Sequence, residues 1–238
     1  GTKSRKTVVN FALEAARFLL RLEPKLIVAA CNTASALAMD ELRVNLPVPV
    51  IGVVEPGARA AVELAHGRPI AVIGTEATIG SGAYPAAIRA IASQQTVLQR
   101  ACPLFVPLVE EGRSEENTLV RLAAEEYLGP LRRQHVAVVI LGCTHYPLLA
   151  GAISACLGTG TQIVDSGRET SRAVADHLRA DGSLSTTSEP GSMTCYVSDN
   201  AARFRTVGSR FLDEVIEDVE FVEPERYISS ASLVRQPD

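Results

Sequence analysis

"HVAVVILGCTHYPLL" (His135–Leu149) decides how the rest of the chain is read. Val136 to Leu141 are the most apolar run in the sequence. They are continuous rather than alternating, as parallel strands covered on both faces are. The run ends in Cys143 and Thr144, a thiol and a hydroxyl. "LIVAACNTAS" (Leu26–Ser35) has the same design, an apolar run closing on Cys31, Asn32 and Thr33. A helix is expected before each stretch and another after it, followed by "VIGVVEPGARAAV" in the first case and "QIVDSGRETSRAV" in the second. Cys31 and Glu55 lie 24 residues apart, Cys143 and Asp165 22. The order of elements repeats although the letters barely do. It implies an α/β fold of two pseudosymmetric parallel-sheet halves facing one another across a cleft, with one Cys-Thr turn from each.

Working outward, Val8, Phe11, Ala12, Ala15, Phe18, Leu19 and Leu22 form the stripe of an amphipathic helix, ended by Glu23-Pro24. Leu26 to Ala30 read as a buried strand and "ASALAMDELR" as a helix. "PVPVIGVVEPG" reads as a strand running to Glu55, Pro56 and Gly57. "PIAVIGTEATIGSGAYPAAIRAI" reads as strand, Gly-Thr turn and helix, and "TVLQRACPLFVPLVEEG" as a strand and a loop. Residues 117 to 133 are helical, with Val120, Ala123, Tyr127 and Leu131 on one face. Residues 182 to 192 are a polar loop. "TCYVSD", "AARFRTVGSRFL" and "DVEFVE" read as strand, helix and strand, and the tail after Pro224 gives no signal. Strands alternating with helices imply crossover connections. The expected division is residues 1–55 with 166–238 for one half and 56–165 for the other.

The 238 residues carry a net charge of −4, with 47% apolar and 21% charged residues. No Lys/Arg cluster points to nucleic acid. No apolar run approaches the ~18 residues of a membrane-spanning helix, and no signal peptide is visible. Five scattered cysteines argue against a disulfide framework and for a reducing, cytoplasmic setting. No CxxC spacing occurs, so a structural zinc is not expected. Cys102, Cys156 and Cys195 are assigned to packing.

Ligands of open α/β sheets bind beyond the carboxyl ends of the strands, where both cysteine turns are expected. A helix start after each would attract a carboxylate and lower the thiol's pKa. Two facing thiols could remove a proton from one side of a carbon and return one to the other, the chemistry of a racemase or epimerase. Cys143 and His145 could instead be metal ligands or a nucleophilic pair, readings that leave Cys31 unused. His66, His135 and His177 look like surface or helix-end residues. "GTEATIGSG" (Gly74–Gly82) is neither GxGxxG nor a Walker A sequence; Thr75 and Thr78 suit a carboxylate, or simply cap a helix. Glu110 and Glu111 are solvated acids unless one points into the cleft. Asp165-Ser166-Gly167 reads as an N-cap.

"ACNTASALAMDELR", "PVIGVVEPGARAA", "GTEATIGSGAY", "CPLFVPLVEEG" and "LGCTHYPLL" together resemble glutamate racemase, in order from Gly1 to "YVSDNAARF". Aspartate racemases of the same superfamily are similar but carry His after CNTA and Glu after GCT. Ser35 and His145 favour glutamate. The resemblance implies cofactor-independent racemization of glutamate, without pyridoxal phosphate or metal, supplying D-glutamate for peptidoglycan in a bacterial cytoplasm. It implies that Cys31 takes the proton from D-glutamate and Cys143 from L-glutamate, with His145 and Glu110 assisting Cys143. Asn32, Thr33, Thr144, Thr75, Thr78 and Gly1 would hold the substrate, and a homodimer is common in similar proteins. It further implies a preceding strand with an Asp-Ser turn and then a Pro-Tyr pair. Neither occurs here, so the chain is expected to be incomplete or shortened at its front. The alternatives are a binding or regulatory protein on the same fold, and a racemase of another acidic amino acid such as aspartate.

Overall fold

The computed structural model describes residues 3–223, so Gly1 and the tail after Pro224 lie outside the described residues. In chain order the elements are α1 (Arg5–Leu20), β1 (Ile27–Ala29), α2 (Asn32–Leu37), α3 (Met39–Asn45), β2 (Val50–Gly52), α4 (Val54–Ala65), β3 (Ile70–Gly74), α5 (Glu76–Gly80) and α6 (Ala83–Ile91). There follow β4 (Val97–Ala101), α7 (Phe105–Glu110), α8 (Thr118–Arg132), β5 (Val138–Gly142), a 3-10 turn (Tyr146–Leu149), α9 (Ala150–Leu157), β6 (Gln162–Asp165) and α10 (Ser166–Ala180). β7 (Cys195–Val197), α11 (Ala201–Leu212) and β8 (Val219–Phe221) complete the order.

Among the described residues every strand pairing is parallel, as the alternation of strands and helices implies. The central sheet runs β4-β3-β5-β6, while β1-β2 and β7-β8 form two-stranded sheets of their own. The chain leaves β3 for β4 on one side and returns to β5 on the other. The crevice of such a sheet therefore opens between the ends of β3 and β5. Gly74 and Gly142 are paired there, so Thr75 and Cys143 leave the sheet side by side.

Ile70 to Ile73 and Val138 to Leu141 are buried on both faces. One face packs on α7, α8, the 3-10 turn and α9 through Phe105, Leu128, Tyr146 and Ile153, the other on α4 and α6 through Ala58, Ala61 and Ile88. A third cluster joins α1 and α3 to Ile27 and Val50.

Several expectations need correction. β1 is not covered on both faces: Val28 is 38% exposed, and among the described residues β1 pairs only with β2. The strand expected to reach Gly57 stops at Gly52, and Glu55-Pro56-Gly57 opens α4 instead. Proline is tolerated in a first helical turn, whose N–H groups have no intrahelical partner. "ASALAMDELR" is two short helices meeting at Ala38, and "TEATIGSGAYPAAIRAI" is also two, broken at Gly82, whose φ of 68° suits glycine. "FVPLVE" is a helix, not a loop, because Phe105 and Val109 share its buried face. Finally, no α-helix follows Cys143 directly. The 3-10 turn with Pro147 comes first, so Cys143 lacks the helix start that Cys31 has.

Cys102 confirms its packing assignment and carries a consequence for stability. It is fully buried, and burial pushes its thiol from 9.0 up to about 12 against a small opposing pull from Arg100. Between those values the unfolded chain has released a proton that the folded chain still holds, so stability falls as pH rises. Urea unfolding between pH 9 and 11 is expected to show this fall. Cys102→Ala should flatten it by up to about 1.4 kcal/mol per pH unit. An unchanged slope would remove Cys102 from the account.

Candidate active site

Cys31 stands at the end of β1 as the N-cap of α2, exposed, with its side chain making no capping bond. The next two residues turn inward. Asn32 is 2% exposed, and its Nδ2 donates to the Tyr84 hydroxyl at 2.8 Å and to Ser166 Oγ at 3.1 Å. Thr33 Oγ1 lies 3.0 Å from Thr75 Oγ1 and 3.1 Å from Thr78 Oγ1, and those two are 3.0 Å apart. Three hydroxyls in a triangle can pass one proton each around the ring, so any of them rotates to donate outward while the others stay paired. Thr75 is also the N-cap of α5, accepting from the Thr78 N–H. The capping and ligand-binding readings of this turn are therefore compatible.

Cys143 is buried at the end of β5. Its Sγ lies 3.9 Å from His145 Nδ1, which also lies 3.2 Å from Thr144 Oγ1. The other ring nitrogen, Nε2, lies 3.4 Å from Glu110 Oε1. An ionised carboxylate can only accept, so the nitrogen facing Glu110 carries the hydrogen. That tautomer leaves Nδ1 as the base facing the Cys143 thiol.

Burial pushes Cys143 from 9.0 up to about 11. The His145 backbone N–H and the Thr144 hydroxyl oppose the rise, and charge on Cys31 adds to it. Cys143 is thus held as a thiol. Charge on Cys31 therefore opposes ionisation of Cys143.

All the described residues expected at the site fall into two groups, Asn32-Thr33-Thr75-Thr78 beside Cys31 and Thr144-His145-Glu110 beside Cys143. Glu111 instead pairs with Arg113 at 3.5 Å, and both side chains are exposed. Among the described residues, no group of three or more His, Cys, Asp or Glu side chains is arranged to hold a metal ion. No helix of the described residues is long and apolar enough to cross a membrane.

Four participants were not visible in the sequence. Tyr84 and Ser166 anchor Asn32 from α6 and α10. Ser166 was hidden because its neighbour Asp165 reads as an N-cap, which it is, accepting from the Gly167 and Arg168 N–H groups. Arg203 Nη2 donates to Glu110 Oε2 at 2.6 Å, and Phe211 meets the His145 ring edge-on at 5.3 Å between centroids. Both come from α11, whose sequence offers no mark of the contact. Ser35, which favoured glutamate in the sequence, is buried and accepts from the Val53 and Val54 N–H groups, holding α2 to the start of α4.

The arrangement has counterparts among known proteins. A family model described as Asp/Glu/Hydantoin racemase matches residues 2–174. The glutamate racemase of Geobacter metallireducens is 48% identical over 219 residues, 92% of this chain and 81% of that protein. That of Syntrophus aciditrophicus is 39% identical over 94% of this chain and 82% of its own. Among solved structures, a glutamate racemase isoform from Bacillus anthracis superposes with a TM-score of 0.88 at 34% identity, covering 94% of this chain and 83% of that one. The Francisella tularensis glutamate racemase, solved in complex with D-glutamate, gives 0.85 at 35% identity, covering 93% of this chain and 82% of that one. With the family model spanning most of its length and close relatives along nearly all of it, the chain belongs to the Asp/Glu/hydantoin racemase family.

Proposed function

We propose that this chain interconverts L- and D-glutamate without a cofactor, using Cys31 and Cys143 as the two acid–base groups. The observation that carries the reading is the meeting of the two cysteine turns: Thr33, two residues after Cys31, lies 3.0 Å from Thr75 Oγ1, and Thr75 leaves β3 beside Cys143 because Gly74 pairs with Gly142. Two thiolates in one site would repel, so the working pair carries at most one negative charge: one thiolate to remove a proton and one thiol to supply one. With L-glutamate bound, His145 Nδ1 takes the Cys143 proton and the Cys143 thiolate removes the α-proton. The thiol of Cys31 then protonates the opposite face. D-Glutamate reacts by the reverse sequence, with Cys31 as base, so that each turnover exchanges the protonation states of the two sulfurs.

Glu110 serves this scheme by fixing the His145 tautomer and facing the imidazolium that forms. Thr33 and Thr75 would meet a substrate carboxylate, with the more deeply buried Thr78 holding them in place, and Thr144 would bind beside Cys143. Gly1 remains in the substrate-binding set on the resemblance alone. The halves 1–55 with 166–238 and 56–165 would form the two jaws. Two free thiols suit a reducing cytoplasm, where the D-glutamate would serve peptidoglycan synthesis. The family resemblance supports a homodimer.

Circular dichroism of L-glutamate solutions incubated with the protein tests the reading. The signal is expected to decay to zero, and D-glutamate should decay to the same end point. A constant signal with measurable glutamate binding would replace the racemase with a binding protein. Decay with aspartate alone would change the substrate.

A further inference from the structure

The amide of Asn32 is held in one orientation by Tyr84 and Ser166. Ser166 Oγ donates to the Leu141 carbonyl at 3.1 Å, and a carbonyl can only accept. The single Ser166 proton is thereby used, and its oxygen is left to accept from Asn32 Nδ2. The Tyr84 hydroxyl accepts the second Nδ2 hydrogen. A flipped amide would set Oδ1 against the Ser166 oxygen with no hydrogen between them. Both amide hydrogens therefore face α6 and α10, and Oδ1 occupies the other branch. That oxygen is buried and has no hydrogen-bond partner.

A buried acceptor without a donor is uncommon in folded proteins, and this one stands between Cys31 and Thr33. It suits a ligand group that brings N–H. Of the groups on a glutamate molecule only the ammonium does so at neutral pH, since both carboxylates are acceptors. On the racemase reading above, we infer that Tyr84 and Ser166 are positioning residues that lock the Asn32 amide with its carbonyl oxygen presented to the substrate's α-ammonium group. They would then set the preference for an amino acid over the same diacid without the amine.

The test compares D-glutamate with glutarate, which keeps both carboxylates and lacks the ammonium group. Calorimetric dissociation constants are measured for the unaltered protein, Tyr84→Phe and Ser166→Ala. Tyr84→Phe keeps the buried ring and Ser166→Ala leaves the Asp165 cap in place. Each variant is expected to bind D-glutamate about three- to tenfold more weakly, while glutarate binding stays constant, so the preference collapses. A general loosening of the site would weaken both ligands together and overturn the proposal, as would an unchanged ratio. If Tyr84→Phe fails to fold, judged by its thermal transition, Ser166→Ala reads the same ratio. Glutamate turnover by the unaltered protein with no change in the ratio sinks this inference alone. Absence of both glutamate binding and turnover sinks the racemase reading along with it.

Discussion

Cys143→Ser is expected to slow glutamate racemization by at least ~10³-fold in both directions while the protein stays folded. A positioned acid–base group contributes about 10²–10⁴-fold, and an alcohol is a far weaker acid than a thiol. The burial that pushes the Cys143 thiol up to about 11 would push a serine hydroxyl further out of reach of His145. The two directions are tied together, because enantiomers have equal free energy in water and kcat/KM must fall by one factor for both. Proton exchange is not so tied. Cys143→Ser retains Cys31, so in D2O it should still exchange the α-proton of D-glutamate without inverting it, read as loss of the α-proton NMR signal. Cys31→Ser should show the mirror result with L-glutamate. Full racemization in either variant would end the two-thiol mechanism, and loss of exchange with retained folding would remove the surviving cysteine as a base.

The sequence showed the parts of this site that depend on strand ends and hid those that depend on distant packing. Cys31 and Cys143 were legible because each interrupts an apolar run, and strand ends are where α/β sheets bind ligands. Thr75 and Thr78 were legible by their spacing in one turn, although spacing could not separate capping from binding. Glu110 was legible only conditionally. Whether it faces the cleft depends on α7 being a helix, and that hinges on Phe105 and Val109 burying one face in a segment rich in proline. Tyr84, Ser166, Arg203 and Phe211 act across 52 to 134 residues of separation where their bonds to Asn32 and Glu110 are concerned. Phe211 meets His145 across a comparable stretch of chain. No local pattern encodes such contacts. The symmetric expectation also failed at a definite place: the 3-10 turn after Cys143 denies it the helix start that Cys31 enjoys, and His145 with Glu110 stands where a helix dipole was expected.

Gly142→Ala is expected to damage stability and activity together, because Gly142 is where the sheet meets the site. A methyl group there would sit 2.7 Å from the Ile73 carbonyl oxygen and 3.3 Å from the Tyr84 ring. Ile73 cannot retreat cheaply, since β3 is paired with β4 on one side and β5 on the other. Overpacking of this kind costs about 1–3 kcal/mol, or roughly 2–12 °C in Tm for a chain of this size. The displaced residue would be Cys143 itself, and a shift of about 1 Å in a catalytic group can cost ~10²-fold. Gly80→Ala is the control: nothing lies within 4 Å of its added carbon, and α5 should tolerate alanine at no cost in Tm. Thermal unfolding and racemization rates of the two variants measure the contrast. Equal stability and equal activity would mean that the end of β5 yields to an extra methyl group, and that the close approach of Gly142 to β3 and Tyr84 is not what fixes the position of Cys143.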